Sequence, residues 1–349
     1  MSLSHLSGFR VAGVATCVPP TVVDNMDLGD AYGADDVRKV VSMAGVRHRH
    51  VVTPDVTSVD LCAEAADRLL KRLGWAPETV TGLIMATQSP DYFLPSSSAI
   101  LHARLGLSEQ CAAFDIGLGC SAYPYGLYVA GAMLRGGGQQ RILMLNGDTP
   151  SRFTAPDDHA TTLLFGDAGS ATALEASNAP GNEGWFGLFT DGTGAGGLMM
   201  KGGGFRDRFP AKPRDLYVAM DGAGVFNFTI KRVPEMIQTT LDFATLTVPD
   251  IDTYVFHQSN RFIMKHLIKK CGLPPERVPF TIESFGNCGG PSVPLTLTQA
   301  LAQREARNHR VMLLGYGVGL SWGAAILDLG ADVPLIHHTY VGDLSEQEQ

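Results

Sequence analysis

Apolar residues recur every fourth position at Leu61, Ala65, Leu69 and Leu73, which predicts a helix over residues 58–73. Ser58 or Asp60 suits its N-cap. Short unbroken apolar runs read instead as buried strands: residues 8–18, stopped by Pro19-Pro20, then Gly82-Leu-Ile-Met-Ala-Thr and Arg141-Ile-Leu-Met-Leu-Asn. Pro95-Ser-Ser-Ser opens a helix that runs through Leu105. Leu127, Ala130, Met133 and Leu134 mark another, which starts near Pro124 and stops at Gly136-Gly137-Gly138. Strands alternating with helices predict an α/β fold with a mostly parallel sheet covered on both faces.

The pattern then repeats. Phe165-Gly-Asp-Ala-Gly-Ser-Ala-Thr-Ala-Leu-Glu resembles Gly317-Val-Gly-Leu-Ser-Trp-Gly-Ala-Ala-Ile-Leu-Asp, each a glycine turn before a small-residue strand ending in an acid. Each closes a comparable run of elements, so the chain divides into halves of 1–175 and 176–330. Residues 331–349 form an acidic tail with Asp343, Glu346 and Glu348. Residues 191–214 are rich in glycine and carry Lys201, Arg206, Arg208, Lys212 and Arg214. They read as a solvated loop, or as a flap over a pocket for an anionic ligand.

Composition narrows the function. The 349 residues are 45% hydrophobic and 18% charged, which suits a well-packed enzyme. A net charge of −8 argues against a nucleic-acid surface. The six cysteines show no CxxC pair, which points to a reducing compartment and away from a disulfide framework or a zinc site. The N-terminus lacks a signal-peptide pattern and no apolar run reaches membrane-spanning length, so a cytoplasmic protein is expected.

Three strand-to-helix turns carry the chemistry. The run Ala113–Pro124 places Cys120 between glycines and a helix N-terminus, where the helix field favours thiolate. A buried structural cysteine is the alternative. Tyr254-Val-Phe-His257-Gln-Ser-Asn260 ends an apolar strand in a histidine. Ser284-Phe-Gly286-Asn287-Cys288-Gly289-Gly290-Pro291-Ser292 puts Asn287 at the apex of a glycine turn. Each of these polar residues alone reads as a turn former. Together with Cys120 they suit a thioester reaction. A cysteine takes an acyl group from a thioester at little cost. Two neutral donors, a His N–H and an Asn amide, then stabilise the enolate left when a second thioester loses carbon dioxide.

These motifs, with Pro90-Asp-Tyr-Phe-Leu-Pro-Ser, Leu164-Phe-Gly-Asp-Ala-Gly, Met220-Asp-Gly-Ala-Gly-Val-Phe and Gly315-Tyr-Gly-Val-Gly-Leu-Ser-Trp-Gly, occur in the order seen in the ketoacyl-acyl-carrier-protein synthase III enzymes. The chain resembles that family of thiolase-fold condensing enzymes from about residue 8 to 329. The resemblance implies a five-layered αβαβα sandwich of duplicated halves and a homodimer. It implies Cys120 as nucleophile, His257 and Asn287 as decarboxylation donors, and the backbone N–H groups of Cys120 and Val318 as oxyanion hole. Leu94 stands near the position that reaches toward the partner's acyl pocket. Substrates would be acyl and malonyl thioesters on coenzyme A or an acyl carrier protein, with no cofactor and no metal.

The departures bear on the donor. In relatives that load acetyl-coenzyme A, a tryptophan and two arginines hold the nucleotide; the corresponding positions here are Lys39, Met43 and His159. Cys288 beside Asn287 is also unusual for the family. A specialised pathway is therefore expected rather than routine fatty-acid initiation. Arg261, Lys265 and Lys269 fall four apart on one helix face after the His257 turn, a stripe suited to an acidic carrier protein. Asn260 belongs to the same candidate contact. The alternatives are a non-decarboxylating acyltransferase and a non-catalytic partner of another condensing enzyme.

Overall fold

The computed structural model describes residues 2–305 and 307–342, so Asp343, Glu346 and Glu348 lie outside the described residues. Two sheets form around one pair of buried helices. The first has six strands in the order Leu335–Thr339, Phe9–Val18, Ala168–Ala176, Arg141–Asp148, Gly82–Ala86, Ala112–Ile116. The second has five, in the order Leu3–Ser7, Glu183–Thr190, Ser321–Leu329, His309–Gly317, Thr253–Phe256. The strand Leu3–Ser7 thus joins the second sheet, and Leu335–Thr339, from the expected tail, joins the first.

The two glycine-led strands, Ala168–Ala176 and Ser321–Leu329, occupy matching interior places in the two sheets. Each runs antiparallel to both neighbours, so the sheets are mixed rather than mostly parallel. The reason is the connection. A parallel return needs a helical crossover. Residues 149–167 hold only a short 3-10 turn and the four-residue helix His159–Thr162, and His309–Gly317 turns directly into Ser321–Leu329. Both chains therefore double back beside the strand they leave.

Five layers result. The helices Ala122–Arg135 and Ser292–Leu301 lie between the sheets, where Leu127, Ala130 and Leu297 pack against Ile84 and Met144 of one sheet and Leu313 and Ala325 of the other. A helix covered on two sides needs apolar residues around most of its circumference. Gly126 lets its helix seat on the sheet, since a Cβ there would lie 2.3 Å from Met144 Cε. The outer face of the first sheet is covered by Ser58–Leu73, whose start is a capping box of Thr57 and Asp60. The cap is Thr57, one residue before the expected Ser58. The outer face of the second sheet is covered by Gly222–Ala244 and Arg261–Cys271. Among the described residues, no helix is long and apolar enough to cross a membrane.

Candidate active site

Both central helices point their N-termini at one spot, and each carries a functional turn there. Cys120 lies in the turn between Ala112–Ile116 and Ala122–Arg135. Asn287 precedes Ser292–Leu301, and His257 follows Thr253–Phe256. The turns are stitched together through the backbone. Asn287 N–H donates to the Leu164 carbonyl (2.9 Å), and Gly166 N–H donates to the Asn287 carbonyl (3.1 Å). Asp167, the acid of the Phe-Gly-Asp turn, is buried and accepts from Ser151 N–H and Val52 N–H. Gln258 spans the gap between the histidine and the asparagine: its Oε1 accepts from Thr281 N–H and Ile282 N–H, while its Nε2 donates to the Phe256 carbonyl.

Two cavities meet at Cys120. The smaller, about 130 Å³, is lined by Cys120, His257, Asn287 and Asn260. The larger, about 370 Å³, has Cys120 and Val318 at one end and is walled by Phe153, Leu198, Met199 and Val218. Phe165 and Leu198 border both. The strand ending in Gly317 passes against Cys120, and a Cβ there would lie 2.8 Å from Cys120 Cβ and 2.9 Å from its Sγ. Only glycine allows that approach.

Burial pushes the Cys120 thiol up to about 12, Asp148 adds to this, and hydrogen bonds from the backbone N–H groups of Val318 and Cys120 itself work in the opposite sense. The sequence-based expectation of a ready thiolate is therefore corrected. Enclosure outweighs the helix N-terminus, because the charged form loses its water. Burial likewise lowers His257 to about 4, with the Gly289 carbonyl opposing, so its imidazole is neutral near pH 7. His257 Nδ1 is 2.7 Å from Ser292 Oγ and 3.1 Å from the Gly289 carbonyl, which leaves Nε2 for the cavity. Asn287 Oδ1 accepts from Gly289 N–H at 3.0 Å, and Nδ2 has no protein acceptor among the described residues. Its amide is thereby oriented with the donor end free. Cys288 is wholly buried, with its thiol toward the Phe285 carbonyl, and burial raises it well above the usual thiol range.

The remaining sequence candidates fall outside this centre or serve it indirectly. Asn260 borders the small cavity, yet its Oδ1 caps the helix Arg261–Cys271 by accepting from Phe262 and Ile263 N–H. Leu94 is 83% exposed on a loop with Tyr92 and Phe93. Arg261 is held by Glu283 (2.5 Å) and the Gly45 carbonyl, while Lys265 and Lys269 are exposed. In the 191–214 segment, Leu198–Met200 pairs with Val218–Met220 and walls the apolar cavity. Arg214 is paired with Asp158, and Arg208 lies over the Phe205 and Phe209 rings. The segment thus presents an apolar face to the larger cavity.

Sequence reasoning missed Ser292, Gln258 and Asp148. The first two stand inside the motifs that drew attention to His257 and Asn287: Gln258 directly follows the histidine, and Ser292 closes the glycine turn after Asn287. Asp148 ends an apolar strand; burial raises it to about 7 while Gln88 N–H, Gly290 N–H and the Thr87 and Ser89 hydroxyls hold it down.

A family model described as 3-oxoacyl-[acyl-carrier-protein] synthase III matches residues 114–194, and its C-terminal counterpart matches residues 241–329. The chain is similar to the 3-oxoacyl-(acyl-carrier protein) synthase of Burkholderia xenovorans, with 39% identity over 97% of this chain and 98% of that one and a TM-score of 0.93. It is also similar to 3-oxoacyl-(acyl carrier protein) synthase III of Pseudomonas aeruginosa, at 31% identity over 93% and 98% and a TM-score of 0.83. The priming β-ketosynthase of a polyketide biosynthetic pathway matches at 25% identity over 93% and 97%, with a TM-score of 0.85.

Proposed function

Because this chain belongs to the 3-oxoacyl-acyl-carrier-protein synthase III family of condensing enzymes, we propose that Cys120, His257 and Asn287 carry out a decarboxylative Claisen condensation in a specialised pathway. The observation that carries the reading is the meeting of two unlike cavities at Cys120: one apolar, one lined by the neutral His257 imidazole and the Asn287 amide.

In the first half-reaction, Cys120 attacks a donor thioester through sulfur. The donor's thiol leaves, and the proton passes from Cys120 to that thiol. The N–H groups of Cys120 and Val318 receive the oxyanion of the tetrahedral intermediate. In the second, a malonyl thioester loses carbon dioxide, and the enolate oxygen accepts from His257 Nε2–H and Asn287 Nδ2–H. The enolate carbon attacks the acyl-cysteine carbonyl, Cys120 leaves as thiolate and is reprotonated, and a 3-oxoacyl thioester departs.

Ser292 gives His257 two usable tautomers. When the Ser292 hydroxyl donates to Nδ1, the imidazole proton sits on Nε2, the form the enolate requires. When the Ser292 hydroxyl instead donates to the Gly289 carbonyl at 2.7 Å, Nδ1–H donates to Ser292 Oγ or to that carbonyl, and Nε2 offers a lone pair to the Cys120 thiol proton. Both partners are within hydrogen-bond reach.

The larger cavity supports an acyl group longer than acetyl. At roughly 30 Å³ per heavy atom, a water's share of liquid volume, acetyl would fill about a quarter of it. The exposed Lys265 and Lys269 support an acidic carrier protein as donor, with Arg261 fixing the helix rather than reaching outward. The edge strand Ala112–Ile116 pairs on one side only, with half-buried Phe114 and Ile116, and supports pairing with a second copy. None of the six cysteines forms a disulfide, which suits a cytoplasmic setting. The chemistry calls for no cofactor.

The test is product identification. The purified chain, given a medium-chain acyl thioester and a malonyl thioester, should yield the 3-oxoacyl thioester two carbons longer, read by mass spectrometry. Acyl-Cys120 that is passed on to a hydroxyl or amine acceptor with no such product would favour the plain acyltransferase.

A further inference from the structure

Far along the first sheet, three side chains from three separate elements converge where the condensing reaction has no use for them. The strand Leu335–Thr339 runs parallel to Phe9–Val18 and sets His338 opposite Cys17. The helix Ser58–Leu73 lies over both and projects Glu64 onto the same point. One ligand atom from each, Cys17 Sγ, a Glu64 carboxylate oxygen and a His338 ring nitrogen, all lie within 4.8 Å of one another. Glu64 Oε1 and His338 Nε2 are 3.7 Å apart.

The cluster is enclosed. Cys17 is fully buried, and the His338 side chain is only 9% exposed. Neither ring nitrogen of His338 has a hydrogen-bond partner, and both are out of contact with solvent. An imidazole always presents at least one lone pair or N–H at each nitrogen, so an enclosed ring with no partner at either one is uncommon. Glu64, by contrast, is held: Arg68 Nε and Nη2 both donate to Oε1, and Val341 N–H donates to Oε2. Such contacts orient a carboxylate as supporting residues orient a metal ligand.

We propose that Cys17, Glu64 and His338 bind one borderline-soft divalent cation of the zinc class, pinning the C-terminal strand to the sheet and to the helix Ser58–Leu73. Thiolate, imidazole and carboxylate together are the donor set zinc accepts, and three protein ligands leave a fourth tetrahedral position for water. Bond lengths of 2.0–2.3 Å put tetrahedral ligand atoms about 3.3–3.6 Å apart. The Glu64–His338 separation is already near that range, and Cys17 closes the rest by a small rotation. On binding, Cys17 loses its thiol proton to solvent as the sulfur–metal bond forms. Entry is through a surface cavity of about 590 Å³ that has Glu64 and Gly342 on its lining. None of the three ligands lines the cavities at Cys120, so the cation is structural. No spacing motif announces it, because its ligands are 47 and 274 positions apart along the chain, from 17 to 64 to 338.

The experiment uses the full chain, stripped with a chelator and titrated with cobalt(II) as a spectroscopic stand-in and with zinc in competition. One equivalent of cobalt should bind with a sulfur-to-cobalt charge-transfer band, and zinc should displace it. Cys17→Ser should abolish the band, and His338→Gln should weaken binding by tenfold or more, while condensing activity remains. Zinc should also raise the wild-type Tm in a concentration-dependent way, a readout that stands even if a variant folds poorly. A wild-type chain that takes up no cobalt or zinc, or a band that persists in Cys17→Ser, would overturn the proposal.

Discussion

Asn287 illustrates how little the side-chain identity matters without its orientation. With Oδ1 engaged by Gly289 N–H, the amide can only donate into the cavity. Asn287→Ala should cut decarboxylation by about a hundred- to a thousand-fold, the usual cost of losing one pre-aimed donor to an oxyanion. Asn287→Asp should be at least as severe, since a carboxylate also repels the enolate. Acylation of Cys120 should change far less in either, as the label on the protein will show. Cys120→Ala should abolish labelling by an acyl thioester, whereas Cys288→Ala should preserve it, because the Cys288 thiol is enclosed and turned to the Phe285 carbonyl. Ser292→Ala should slow decarboxylation and shift the His257 tautomer balance read by nitrogen NMR, and Ser292→Thr should restore both. Of these residues, Cys120 and Asn287 drew attention because each sits in a glycine-framed turn before a helix, and His257 because it follows directly on the apolar strand Thr253–Phe256; the structure brings the three together around one cavity. Ser292 drew none, since a serine within a helix start reads equally well as a cap.

At the scale of elements, the helices were the most legible. The four-residue apolar spacing from Leu61 to Leu73 marks the span the helix occupies, Ser58–Leu73, and Gly136 stops the Cys120 helix where the glycines predicted. Strand direction was not legible, because apolar runs look alike in parallel and antiparallel pairs; the short connections at 149–167 and 317–321 decide it. The donor question also belongs here. On the helix Ala34–Ala44, Lys39 is exposed beside Asp36 and Met43 is 64% exposed, so neither builds a stacking platform for a nucleotide. His159 instead packs near Tyr32. The same acyl group should load with a higher kcat/KM from a carrier protein than from coenzyme A, and medium-chain donors should outpace acetyl; reversed orders would argue that other residues rebuilt the nucleotide site. Gly317→Ala should leave the fold intact but slow acylation by tenfold or more, as the added methyl displaces the Cys120 thiol.

For the whole molecule, the two sheets bring two helix N-termini together, and the candidate site lies where the Cys120 turn meets the His257 and Asn287 turns. Enclosure there has a pH signature. His257 is lowered to about 4 from an ordinary 6.5, so the folded chain binds fewer protons at this group than the unfolded chain between those values. Its contribution to stability is therefore fully present above pH 6.5 and is lost as pH falls toward 4. At pH 5 the loss is about 2 kcal/mol. His257→Gln should accordingly lose less Tm than wild type between pH 7 and pH 5. Asp148, raised to about 7, acts in the opposite direction and is common to both proteins. The most direct test of the account follows labelled carbon dioxide from a malonyl thioester alongside acylation of Cys120, in wild type, His257→Ala and Asn287→Ala. The account predicts that wild type releases carbon dioxide, that both variants still acquire the acyl group, and that their release falls at least a hundred-fold. Wild-type protein that is fully acylated yet releases no carbon dioxide from any malonyl donor, or variants that release it at the wild-type rate, would contradict it.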